Sequence, residues 1–151
     1  MTDTETPTPT DTATAPTLAG IQHVGLTVRD VNASVDWYTS VLGLERQFDE
    51  PHHHSEEGGY AVVLGTPDMS LNVGLDHHPG NLGEPFDPTR TGLDHLCFQV
   101  ADAGALSAWA ERLDRLGVEN SGVYAMTGTP FRLLTFTDPD GIQLELIAFA
   151  G

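Results

Sequence analysis

Two stretches of this chain alternate in the same way. In IQHVGLTV, His23, Gly25 and Thr27 share one side of an extended backbone, and Val24, Leu26 and Val28 share the other. In LDHLCFQV, His95, Cys97 and Gln99 oppose Leu96, Phe98 and Val100. Period-two alternation predicts strands over residues 21–28 and 93–100. Each then gives way to helical spacing. Val35, Tyr38, Val41 and Leu42 form one apolar stripe, with Asp30 or Asn32 as its cap and Gly43 as its stop. Leu106, Trp109, Ala110, Leu113 and Leu116 form the other, capped near Asp102 and stopped by Gly117. Three further strands follow in each half, over residues 44–49, 60–64 and 69–75, then 122–126, 131–137 and 142–148. The chain reads as two β-α-β-β-β units.

The organisation follows from that repeat. Residues 77–91 contain Pro79, Gly80, Gly83, Pro85 and Pro88 and read as a linker. Residues 1–17 are rich in Thr and Pro and lack the apolar content to pack, which predicts a disordered tail. The expected arrangement is one α+β domain over 18–151, with a first module at 18–76 and a second at 92–149.

The closing strand of each unit has a polar residue at its centre. Asn72 lies between Leu71 and Val73, and Glu145 between Leu144 and Leu146. His23 and Asn72 are 49 positions apart, and His95 and Glu145 are 50 apart. The near match predicts that His23, Asn72, His95 and Glu145 stand at equivalent places about a pseudo-two-fold axis. Polar side chains in mid-strand are costly to bury without partners, so their face is expected to line a cavity.

Charge narrows the partners. Six Arg and no Lys stand against 22 acids, for a formal net charge of −16. So acidic a chain repels nucleic acid and anionic membrane. Cys97 is the sole cysteine, so no disulfide forms within the chain, which fits a reducing compartment and a cytoplasmic location. No apolar run approaches the roughly 20 residues of a membrane span. The N-terminus lacks the basic and apolar regions of a secretory signal.

Over residues 18–149 the chain resembles the vicinal oxygen chelate superfamily, which includes glyoxalase I, methylmalonyl-CoA epimerase, extradiol dioxygenases, fosfomycin-resistance enzymes and bleomycin-binding proteins. The resemblance rests on IQHVGLTV, the helix end WYTSVLGL, LDHLCFQV and the closing DPDGIQLELI, with TPDM at 66–69 as a weaker echo of the DPDG turn. It implies two βαβββ modules forming a curved, barrel-like mixed sheet around a metal cup, helices outside. It places His23, His95 and Glu145 on ligand positions for a divalent Fe, Mn, Ni or Zn. Asn72 departs from the carboxylate usual in glyoxalase I and leaves a two-His, one-carboxylate triad.

The implied function is a metal-dependent enzyme acting on a small oxygen-chelating substrate by Lewis-acid-assisted proton transfer or lyase chemistry. An Fe(II) extradiol-type dioxygenase and a drug-sequestering resistance protein are the alternatives. Glu145 and His78 are the candidate catalytic groups. Asn72, Cys97 and Arg132 are candidate substrate contacts, Arg132 for a carboxylate. His52, His53 and His54 point in different directions along an extended chain and read as a solvated loop. A homodimer is expected, with the modules pairing within one chain or across two.

Overall fold

The computed structural model describes residues 15–51 and 57–150. The expected tail falls mostly on residues 1–14 and the three consecutive histidines on 52–54, so both lie outside the described residues. The first module runs β1 (Val24–Thr27), α1 (Val31–Leu42), β2 (Glu45–Pro51), β3 (Tyr60–Gly65) and β4 (Asn72–His77). The second runs β5 (His95–Gln99), α2 (Ala103–Arg115), β6 (Tyr124–Ala125), β7 (Phe131–Thr137) and β8 (Gln143–Phe149).

Local chemistry sets the helix ends. The Asp30 carboxylate accepts from Ala33 N at 3.0 Å, so Asp30 is the cap and Asn32 lies within the first turn. Asp102 does the same for Ala105 N at 2.8 Å. Gly43 takes a left-handed φ of 71° that a side chain would strain, and its N–H closes the helix on Thr39 O. β6 is shorter than the expected 122–126, because Gly122 turns the chain at φ 66° and only Tyr124 and Ala125 pair with β7.

Each module folds into a four-stranded mixed sheet, ordered β1-β4-β3-β2 and β5-β8-β7-β6. In each, the first and last strands run parallel and the rest antiparallel. The two sheets stay separate, and among the described residues no closed barrel forms. One face of each sheet is apolar and packs on its helix. Leu26, Val62, Leu64, Val73 and Leu75 from the first sheet and Leu134, Phe136, Leu144, Leu146 and Ala148 from the second join α1 and α2 residues in one cluster. Fully burying one such side chain is worth about 1.5–3 kcal/mol.

The modules are tied together by the turn at 138–141. The Tyr38 hydroxyl on α1 donates to Asp138 Oδ2 at 3.0 Å. Arg29 Nε donates to Asp140 Oδ1 at 2.6 Å and its terminal nitrogen to Pro139 O at 2.6 Å. Ile142 N and Asp140 N both donate to Asp138 Oδ1. Burial pushes the Asp138 pKa above its usual value, and the hydrogen bonds from Ile142, Tyr38 and Asp140 oppose the rise. Burial, and then the Asp138 charge, raise the Tyr38 pKa strongly, so its hydroxyl stays a donor. The DPDG turn is therefore a cross-module clamp just ahead of β8.

Candidate metal centre

β8 carries Glu145 and β5 carries His95. Their register sets His95 beside Gln143 and Cys97 beside Glu145. Leu144 and Leu146 point into the core, so alternation puts His95, Cys97, Gln143 and Glu145 on the opposite face. His95 Nε2 lies 3.7 Å from Glu145 Oε2. That is too long for a hydrogen bond. It approaches the spacing of two donors on one ion, since ligands about 2.1 Å from a metal at cis or tetrahedral angles stand about 3.0–3.4 Å apart.

Both groups are held from behind. His95 Nδ1 is 2.6 Å from Asp94 Oδ1. A carboxylate only accepts, so Nδ1 carries a proton and the Nε2 side of the ring is turned toward Glu145. The Asp94 hydrogen bond raises the His95 pKa, slight burial opposes it, and the Glu145 charge adds to the rise. Gln143 Nε2 donates to Glu145 Oε1 at 2.8 Å, which leaves Oε2 for the imidazole side. Burial raises the Cys97 thiol pKa, and Glu145 beside it adds to the shift by charge and hydrogen bond, so the thiol stays protonated at neutral pH.

The first module repeats the imidazole arrangement. His23, exposed and just ahead of β1, has Nδ1 2.5 Å from Gln22 Oε1. In both modules the residue before the histidine ties down Nδ1. The signal was present in the sequence as QH and DH, yet Gln22, Asp94 and Gln143 were not singled out there.

Asn72 requires a correction. β1 pairs with β4 as Val24↔Val73 and Gly25↔Gly74, which puts Asn72 level with His23. His95 is level with Gln143. The counterpart of Asn72 is therefore Gln143, and the counterpart of Glu145 is Gly74. Asn72 is also only 2% exposed, and its Nδ2 donates to Gln22 O at 3.1 Å and Met69 O at 2.7 Å. It braces the chain entering β1, while its Oδ1 is buried with no hydrogen-bond partner.

The remaining candidates divide. Cys97 and His23 line a cavity of about 150 Å³ between the starts of β1 and β4 and the middle of β5. Arg132 lies opposite Ala148, on the face of Leu134 and Phe136, whereas Thr135 is the β7 neighbour of Glu145. Arg132 thus starts from the opposite face of the sheet to Glu145. His78 follows the end of β4, where its carbonyl accepts from Asn81 N at 2.9 Å. Among the described residues no three His, Cys, Asp or Glu side chains gather as a metal-holding group. Within one chain the assembled part is the His95–Glu145 pair. Its chemistry fits a divalent ion, with an imidazole nitrogen and a carboxylate oxygen turned toward each other, the donor types such an ion takes.

Comparisons with known proteins bear on this arrangement. A crystal structure of a glyoxylase/bleomycin resistance protein/dioxygenase domain from Frankia sp. EAN1pec shares 32% identity at a TM-score of 0.76, covering 88% of this chain and 99% of that one. The putative ring-cleaving dioxygenase MhqA of Bacillus subtilis is 26% identical over 129 residues, covering 85% of this chain but only 40% of MhqA. The fosfomycin resistance protein FosX of Listeria monocytogenes, complexed with Mn(II) and a sulfate ion, shares the fold at a TM-score of 0.58 and 18% identity, covering 87% and 93% of the two chains. The family model that matches residues 20–146 is described as Glyoxalase/Bleomycin resistance protein/Dioxygenase superfamily. By that match, which spans both modules, the chain belongs to the glyoxalase/bleomycin resistance/dioxygenase superfamily.

Proposed function

We propose that this protein is a divalent-metal-dependent enzyme acting on a small organic substrate that offers two neighbouring oxygens. The observation that carries the reading is the His95–Glu145 pair, 3.7 Å apart with Nδ1 and Oε1 already tied back. Two imidazoles and a carboxylate suit Fe(II), Mn(II), Ni(II) or Zn(II) and leave positions open for substrate. The ion supplies Lewis acidity where negative charge grows on a substrate oxygen as a neighbouring carbon loses its proton. The chain's own groups do the rest. Asp94 and Gln143 fix the two donors, and the protonated Cys97 thiol forms part of the wall. Glu145 Oε2 is the anionic contact and, once off the ion, the proton acceptor, and His78, just past the end of β4, is the candidate proton donor.

The third donor is His23 of a second copy. Its imidazole is prepared as His95 is, with Nδ1 held by Gln22, yet within one chain it joins no group of three. A symmetric dimer with shared sites uses each His23 once. Mixing tests this directly. His23→Ala and Glu145→Ala chains each lose metal alone. Mixed dimers then regain one intact site of two, because the defects fall together in the other site. No recovery on mixing places the donors within one chain. Unchanged metal content in both single variants overturns this site, whereas a wild-type chain that takes up no divalent metal favours a metal-free binding protein. The likeness to MhqA favours a second outcome for the same site, oxygen chemistry on Fe(II). Dependence of turnover on dissolved oxygen separates it from proton transfer.

A further inference from the structure

Glu145 has no side-chain counterpart in the first module. The equivalent pair to Cys97↔Glu145 is Gly25↔Gly74. Two glycines at matched sites on neighbouring strands leave a gap, and a carboxylate lies over it. A Cβ on Gly25 would meet Asp76 Oδ2 at 3.0 Å, and one on Gly74 would meet the same oxygen at 3.5 Å. Asp76 lies in β4 two residues beyond Gly74, on the same face, paired with Thr27 across the ladder and only partly exposed. Its carboxylate therefore occupies the space from which Cys97 and Glu145 project in the second module.

From this we infer that Asp76 is the first module's carboxylate for the metal-bearing face, reaching back over Gly25 and Gly74 to do from one step along the strand what Glu145 does from its own position. The inference rests on the metal-dependent reading above. Two imidazoles and Glu145 leave a divalent ion one positive charge; Asp76 neutralises it. A site so balanced holds its metal more firmly and selects substrates that bind as neutral or singly charged chelators. Gly25 is then required for space. A methyl at Gly25 presses on the Asp76 oxygen, whereas one at Gly74 meets only ordinary contacts, 3.5 Å to Asp76 Oδ2 and 3.6 Å to Gly25 Cα.

The test measures Mn(II) affinity of the full chain by calorimetry, beside the melting temperature. Asp76→Asn is expected to weaken Mn(II) binding by about 10-fold or more in a protein that still folds. Adding Gly74→Glu to Asp76→Asn restores a carboxylate at the true counterpart of Glu145 and is expected to recover the affinity. If Asp76→Asn does not fold, Gly25→Ala reads the same point by displacing the carboxylate, and weaker binding is again expected. Unchanged affinity in Asp76→Asn or, failing its folding, in Gly25→Ala, while Glu145→Ala abolishes binding, overturns the inference and leaves the metal-dependent reading standing. Wild-type protein that binds no Mn(II), Fe(II), Ni(II) or Zn(II) overturns both.

Discussion

The two modules share an order of elements and differ in how they use it. In the second, the two aspartates of the turn at 138–141 are buried and clamped by the other module through Tyr38 and Arg29. In the first, the echo at 66–69 is exposed and closes on itself, with Asp68 accepting from Thr66 and Ser70. The second module carries Cys97 and Glu145 where the first carries Gly25 and Gly74. What the two preserve is narrower, a histidine whose Nδ1 is held by the residue before it. Duplication has kept the imidazole and its support, while the turn and the carboxylate have diverged.

The clamp gives the largest expected effect on stability. Arg29→Ala leaves the Asp140 carboxylate, 7% exposed, without its cation. Breaking a buried pair costs about 3–5 kcal/mol, and the 41% exposure of Arg29 reduces that to about 2–3 kcal/mol. Thermal unfolding should show a drop of roughly 5–10 °C. A shift within error means the modules are held by their apolar cluster alone.

Tyr38→Phe comes next, at about 1–3 kcal/mol for a buried acceptor left short of a donor. Its pH dependence has a definite sign. Burial already holds the Asp138 pKa above 3.8, and the Tyr38 hydrogen bond opposes that rise. Removing the hydroxyl lifts the folded pKa further. A group with a raised folded pKa contributes stability that is present at low pH and lost as pH rises through the folded value. The deficit of Tyr38→Phe should therefore grow from about pH 4 toward neutrality. Denaturant curves across that range check it, and a deficit that shrinks with rising pH contradicts the account.

The shared feature is tested at the metal. Asp94→Ala should lower metal affinity by about 10–100-fold, as expected for a group that orients a ligand. Gln22→Ala should cost less, because its hydrogen bond to His23 is uncharged. Equal losses would make the two supports interchangeable. Smallest of all is Asp68→Ala. Its hydrogen bonds from Thr66 and Ser70 hold the Asp68 pKa down to about 2, but the carboxylate is fully exposed. No measurable change in melting temperature is expected, and a clear drop would show that the first module's turn matters as the second's does.

The sequence made much of this architecture legible. Alternation and helical spacing located the two helices and the strands, because amphipathic faces impose period two or 3.6 on the chain. Helix caps were visible as Asp30 and Asp102. The His95–Glu145 pair was readable because both residues sit at the centre of their alternating motifs. Asn72 misled, since counting residues between motifs cannot see register, and a loop one residue longer shifts the match. The ladder puts Gly74, not Asn72, at the place of Glu145. Asp76 was hidden for the same reason, for its relevance comes from two glycines on neighbouring strands. Arg132 was chosen by its charge alone, which carries no information about the face its strand position gives it.

The central claim is that Glu145 and His95, together with His23, hold a divalent ion. Elemental analysis after loading with Mn(II) and removal of free ion tests it most directly, on the wild-type chain and on Glu145→Ala, with circular dichroism as the control for folding. The account predicts about one ion per chain in the wild type and almost none in a folded Glu145→Ala. Full metal content in Glu145→Ala would contradict it.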